Sequence, residues 1–314
     1  MSGLELFSIG SWSIFDHLLR MQRLPAEGET VALDMPIAEM ERIHFGDCSA
    51  NIAAVAARLG IRTGLGMVVG DDFDTSGYAA HLRQLGVDLA GVEIRGGTRS
   101  GHSFNFFDAE NRSFCVSHLG VAECQDDWRI PEVAIASAKA LVVSEKFSHY
   151  TLGAIESAKR AGRLTAINGM VATAGQSASR FLAAADILIL SRGEAADLID
   201  RLSFSSASAL LDLGPRLVVV TEGSNGSRWY QAQGEIRLPA VKTEHFVDST
   251  GAGDSFAASV VCGLVRGWPV EQTGKFAATV ASFVVEAWGC QTNLPDMDQV
   301  AERYRNHFKE NLIR

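Results

Sequence analysis

The segment Asp248-Ser249-Thr250-Gly251-Ala252-Gly253-Asp254 holds the densest chemistry in the chain. Gly251 and Gly253 let the backbone approach a ligand closely, and the small-residue run Ser255–Val261 after them predicts a helix. The first turn of a helix offers unpaired N–H groups and the positive end of its dipole to an anion. A carboxylate at that point, Asp254, suits removal of a proton from an alcohol attacking a phosphate. The same residues also describe a glycine turn in which Asp254 merely caps the helix.

Other segments carry related groups. Val218–Val220 runs into Thr221-Glu222-Gly223-Ser224-Asn225-Gly226, a buried strand entering either an ordinary hairpin or a phosphate-handling loop. Ser191-Arg192-Gly193-Glu194 ends another apolar run and reads as a helix start with an acidic first turn. Gly46-Asp47-Cys48-Ser49-Ala50-Asn51 opens a further helix, while Asp16 follows the first strand and Glu145 follows Leu141–Val143. In open parallel sheets ligands bind beyond the carboxyl ends of the strands, which would bring Asp16 and Glu145 to one crevice. Each is equally readable as a solvated loop charge.

These groups need a scaffold. Short apolar runs recur at Leu4–Ile9, Leu141–Val143, Leu164–Ile167, Ile187–Leu190 and Leu217–Val220, each too short for a typical helix and rich in Val, Ile and Leu. Helical patterns alternate with them at Asn51–Leu59, Tyr78–Leu85, Leu152–Ala161 and Glu194–Leu202. The alternation predicts an α/β fold with a mostly parallel central sheet flanked by helices. Two stretches, approximately 29–45 and 98–118, look extended without intervening helices, and Asp108–Asn111 suits a hairpin turn within the second. They form either an edge of the main sheet or a small β-lid over a cleft. No linker or low-complexity stretch divides residues 1–314, so a single domain is expected.

Composition narrows the function. With 47% hydrophobic and 21% charged residues, the chain has the make-up of a globular protein and not of a disordered one. Its 28 Lys and Arg against 37 Asp and Glu give a formal charge of −9, which repels phosphate backbones and argues against nucleic acid as a partner. The five cysteines form no Cys-x-x-Cys pair, and neither a signal peptide nor a run of about 18 apolar residues is seen. A reduced, cytoplasmic protein without a membrane span is expected. The eight histidines lack His-x-x-x-His or His-Glu-x-x-His spacing, which disfavours a transition-metal site. Gly64–Gly70 mimics a dinucleotide fingerprint with the wrong spacing, and none follows Leu4–Ile9, which removes a nicotinamide-dependent dehydrogenase from consideration.

The Asp248–Asp254 string resembles the C-terminal signature of the ribokinase-like (PfkB) carbohydrate kinases, and the likeness extends over nearly the whole chain. Gly46–Asn51 resembles that family's Gly-Gly-x-x-x-Asn motif, and Val69-Gly70-Asp71-Asp72-Phe73 with Leu85-Gly86-Val87 follows at the expected distance. Thr221–Gly226 resembles its nucleotide-binding turn. The resemblance implies a β-lid over the sugar and an ATP-dependent phosphotransferase acting on a primary hydroxyl. It implies Asp254 as general base and the amides of Gly251, Ala252 and Gly253 as an anion hole. Asp16, Gly46, Asp47, Asn51 and Glu145 would meet the substrate; Ser191, Glu194, Thr221, Gly223 and Gly226 would meet ATP and its Mg²⁺. Asp248, Thr250, Gly289 and Asn293 would surround a monovalent cation, K⁺.

Two departures stand out. Asp47 occupies the second glycine of the N-terminal motif, and Ser191 stands for the Asn of the family's Asn-x-x-Glu. They motivate an alternative, a sensor of the same fold that binds sugar or nucleotide without turnover. The acceptor is expected to be a neutral sugar or nucleoside with a ribofuranose-like ring, since Asp16 and Asn51 suit vicinal hydroxyls and Asp47 would repel an acid. Ala281–Glu286 and Gly289–Pro295 resemble the nucleoside kinases of the family, and Phe104, Phe106 and Phe107 offer rings for stacking. The strand edges of a lid suit a homodimer.

Overall fold

A computed structural model describes residues 3–110, 112–125, 127–243 and 245–313. In chain order its strands are β1 (Leu6–Ile9), β2 (Phe15–Arg20), β3 (His44–Phe45), β4 (Thr63–Gly70), β5 (Asp88–Arg95), β6 (His102–Phe107), β7 (Ser113–His118), β8 (Ala140–Ser144), β9 (Leu164–Asn168), β10 (Ile187–Ser191), β11 (Leu217–Thr221), β12 (Ser227–Gln231) and β13 (Gly234–Leu238). Nine of them make one sheet in the order β13-β12-β11-β10-β9-β8-β1-β4-β5, parallel except for the antiparallel β11-β12-β13 edge. The fold class is the one the alternating runs predict.

Helices cover both faces of this sheet. One face packs on Phe256, Val260 and Phe276, the other on Ile155, Phe181 and Leu182. Double cover is why the central strands read as continuous apolar runs and not as alternating ones. The mock fingerprint glycines have a packing role: Gly64 and Gly66 lie in β4 against the Phe7 ring, where a Cβ would come within 2.8 Å of it.

The other four strands form a separate sheet, β3-β2-β6-β7, that shares no strand with the first. β6 and β7 are the expected hairpin, though Asn111 of its turn lies outside the described residues. The expectation for 29–45 needs correction. That stretch is mostly irregular, with a single bridge Met21↔Leu33, one helical turn Ile37–Met40 and strand only at His44–Phe45. The centre of the small sheet is β2, a strand that no apolar run announces because Asp16 and His17 interrupt it. Asp16 thus sits inside a strand, paired with Ser103 of β6. Among the described residues no helix is long and apolar enough to cross a membrane.

Candidate active site

Gly251 opens the helix Ala252–Val265 at φ +79°, packed so closely on Cys290 that a Cβ would lie 2.7 Å from its side chain. Asp254 is consequently the third residue of the helix and does not cap it. Its buried carboxylate turns sideways, where Asn51 Nδ2 donates to Oδ2 at 2.9 Å and Asn168 Nδ2 donates to Oδ1 at 3.1 Å. Burial outweighs these donors and, helped by the charge of Asp47, pushes the carboxyl up to about 6. The N–H groups of Gly251 and Gly253 have no protein acceptor among the described residues, whereas that of Ala252 donates to the Ser249 carbonyl at 3.1 Å. The expected trio of free amides is therefore a pair.

Two cavities meet at this point. A smaller one, about 260 Å³, is lined by Trp12, Cys48, Glu145, Asn168, Ser191, Glu194 and Asp254. A larger one, about 560 Å³, runs from Gly223 and Gly226 past Val241, Phe246, Ala281 and Val285. Both touch Thr221 and Gly253. The smaller cavity draws on the carboxyl ends of β8, β9, β10 and β11, the edge where open parallel sheets bind ligands.

Of the residues expected to meet the substrate only Glu145 lines the smaller cavity; Asp16, Gly46, Asp47 and Asn51 line neither cavity, and Asp16 approaches Asp254 from the small sheet. Its carboxylate accepts from Ser103 Oγ and from Cys290 Sγ (3.5 Å) and packs on Gly46 with no room for a side chain there. Burial pushes it, too, up to about 6. Phe104 and Phe106 lie on the opposite face of that sheet, by the alternation that sets them against His17 and Phe114. They are not available to a ring in the cleft, and Phe107 is packed on Trp288.

Both departures have local explanations. Asp47 holds φ +76°, a region that favours glycine, yet its carboxylate accepts from Ser49 N (2.9 Å), Ala50 N (3.1 Å), Ser49 Oγ and Trp12 N (2.9 Å). It caps the helix Cys48–Arg58 and does not line the cavity, so its charge acts on an acceptor there only through space, as it does on Asp254 and Glu145. Ser191 likewise caps Arg192–Arg201, and Glu194 Oε2 accepts from Ser191 N at 2.7 Å in a reciprocal capping box. Neither residue supports a sensor that has lost its chemistry. Glu145, beside Asp47, accepts from Cys48 N at 2.7 Å, and burial together with the Asp47 charge drives its carboxyl well above the usual range.

The segments assigned to a monovalent cation are neighbours. Asp248 is buried and accepts from Thr250 N (2.9 Å), Thr250 Oγ1 (2.7 Å) and Gly289 N (3.1 Å), with no ion pair among the described residues. Asn293 donates to the Phe283 carbonyl at 2.7 Å. Sequence reasoning passed over Asn168, although its position just past Leu164–Ile167 obeys the same carboxyl-end rule that singled out Glu145. It also gave no role to Tyr78 or Gln291, which back the site from behind Asn51.

Comparison with known proteins agrees with this architecture. The profile of the pfkB family carbohydrate kinases matches residues 29–297. The chain is 30% identical to a nucleoside kinase of Methanothermobacter thermautotrophicus over 303 residues, covering 96% of this chain and 95% of the relative. The crystal structure of Methanocaldococcus jannaschii nucleoside kinase, a ribokinase-family member, superimposes with a TM-score of 0.85 at 25% identity, covering 98% of this chain and 99% of that one. Burkholderia thailandensis nucleoside kinase in complex with inosine matches the fold with a TM-score of 0.86 at 20% identity, covering 98% and 99%.

Proposed function

The chain belongs to the pfkB family of carbohydrate kinases, and from that premise we propose that it transfers the γ-phosphoryl group of ATP to the primary hydroxyl of a nucleoside or free furanose, with Asp254 as general base. The observation that carries this reading is the buried Asp254 carboxylate, free of any ion pair among the described residues, at the junction of two cavities. In this reading the acceptor occupies the smaller cavity and ATP the larger, its phosphates over the Thr221–Gly226 turn and the helix start. Asp254 takes the proton as the hydroxyl oxygen bonds to the γ-phosphorus and the bond to the bridging oxygen of ADP breaks. The amides of Gly251 and Gly253 hold charge on the moving group.

Mg²⁺ bound with ATP would neutralise phosphate charge, and Glu194, whose Oε1 is unpartnered among the described residues, fits the water shell of such an ion together with Ser191. K⁺ would sit among Asp248, Thr250, Gly289 and Asn293; a buried carboxylate bonded only to N–H and O–H donors fits a neighbouring cation.

A neutral acceptor is favoured because Glu145, Glu194 and Asp254 line the smaller cavity while, among the described residues, no Lys or Arg does. The nucleoside kinases among the relatives support a nucleoside over a hexose. The test is kcat/KM for ribose, adenosine, inosine, fructose and a keto-deoxy sugar acid in a coupled ADP-release assay. Clear preference for the sugar acid would refute the charge argument, and preference for fructose would remove the nucleoside assignment. We read the small sheet as a lid over the acceptor. Its outer face exposes Phe104, Phe114 and Val116, and a second copy of the chain is the occupant that fits a self-complementary aromatic face.

A further inference from the structure

Behind Asp254, buried polar groups hydrogen-bond in single file with a polarity that admits one arrangement. At the far end is the Gly46 carbonyl, which can only accept; the Tyr78 hydroxyl donates to it at 2.6 Å. That hydrogen is then committed, so the Tyr78 oxygen can only accept, and Gln291 Nε2 donates to it at 2.6 Å. The same Nε2 donates to Asn51 Oδ1 at 2.8 Å. An Asn amide whose oxygen is held by a donor must present its Nδ2 on the other side, and Asn51 presents it to Asp254 Oδ2 at 2.9 Å. Gln291 Oε1 meets His81 Nε2 at 3.1 Å, which makes His81 the Nε2–H tautomer. The Gly46 carbonyl can only accept, so the two amides are oriented from that end without ambiguity, and the ionised Asp254 carboxylate accepts at the other.

We propose that Gln291 is a positioning residue for phosphoryl transfer, fixing the Asn51 amide so that Asp254 receives an N–H and not a carbonyl oxygen. This rests on the reading of Asp254 as general base. With the amide turned over, Asn51 Oδ1 would face Asp254 Oδ2 acceptor to acceptor. Such a contact repels the ionised form and raises the carboxyl further above the value of about 6 that burial already imposes. Asp16, Asp47, Cys48 and Glu145 also face Asp254, and no substitution at Gln291 removes them.

Two substitutions separate this role from simple packing. Gln291→Glu keeps the size and still accepts from His81, but it cannot donate to Asn51 Oδ1 and so draws the Asn51 Nδ2 away from the base. Gln291→Met keeps the volume and leaves the amide free to turn. In both, the acid limb of kcat/KM is expected to move up by about one pH unit, a loss of roughly fivefold at pH 6 that approaches tenfold below pH 5 and shrinks toward pH 8.5. The KM for ATP should not change. The Asp254 carboxyl is also titrated directly, by carbon NMR of labelled aspartate with Asp254→Asn as the assignment control, which needs no turnover. An upward shift in Gln291→Met, which adds no charge, supports the relay even if Asp254→Asn keeps its activity and the base assignment falls; in Gln291→Glu the added negative charge contributes a rise of its own. A titration in Gln291→Met that matches wild type overturns the relay, whatever the activity of Asp254→Asn and whatever the shift in Gln291→Glu.

Discussion

Replacing Asp254 with Asn is expected to remove catalysis and raise stability in the same molecule. The carboxyl is buried and its value moves from an ordinary 3.8 to about 6. At 1.36 kcal/mol per unit, that shift of about two units corresponds to ~3 kcal/mol of destabilisation when Asp254 is ionised. That shift already nets the hydrogen bonds from Asn51 and Asn168 to the ionised carboxylate, so Asn, which like the protonated acid carries no charge, recovers it without a further subtraction. The gain is ~3 kcal/mol, which for a chain of 314 residues at ~2.1 cal/mol/K per residue raises Tm by about 4–5 °C. The sign depends on pH. A carboxyl whose folded value is raised binds its proton more tightly when folded, so the cost is absent below about pH 4, grows between about 4 and 6, and is complete above. Scanning calorimetry should find the gain at pH 8 and its disappearance toward pH 4. Turnover should fall by about 10²–10⁴. A Tm at pH 8 that is unchanged or lower, or a gain equal at both pH values, would contradict a buried ionised carboxylate. Turnover within about tenfold of wild type would remove Asp254 as the base.

Metal removal and surface substitution test the remaining roles. Excess chelator is expected to abolish turnover, and Glu194→Gln to raise the Mg²⁺ needed for half-maximal rate several-fold; full activity in chelator would refute metal dependence. Exchanging K⁺ for tetramethylammonium should slow the enzyme, and equal rates would argue against a cation beside Asp248. Phe114→Glu on the outer face of the small sheet should convert a dimer to monomer in sedimentation, and a monomeric wild type at micromolar concentration would sink the dimer.

What was legible in the sequence follows from how local each cause is. Strands β8, β9, β10 and β11 are covered on both faces, so burial alone forces unbroken apolar runs that can be read one at a time. The Gly251–Asp254 turn was legible because its glycines and carboxylate act within four residues. β2 was not, since its partners, Phe45 and His102–Phe107, lie far off in sequence and its own pattern is broken by Asp16 and His17. Asp47 reads differently once its surroundings are known: a residue type favoured at helix starts serves as a cap at a backbone angle that favours glycine. Gln291 lay within a stretch singled out for its resemblance, yet its role depends on contacts with Asn51 and Tyr78, more than two hundred residues away. No local pattern encodes which way an amide points.

The independence of the two sheets has a consequence for how such a chain can change over generations. Asp16 belongs to the small sheet, whereas Asp254, Asn168, Glu194 and the Thr221–Gly226 turn belong to the large one and the helices beyond it. Among the described residues no strand pairing crosses between them, so β2, β6 and β7 take no part in the hydrogen-bonded register of the strands of the large sheet. On the proposed reading of the small sheet as a lid, its residues can be rewritten across generations while the strand order of the large sheet is kept.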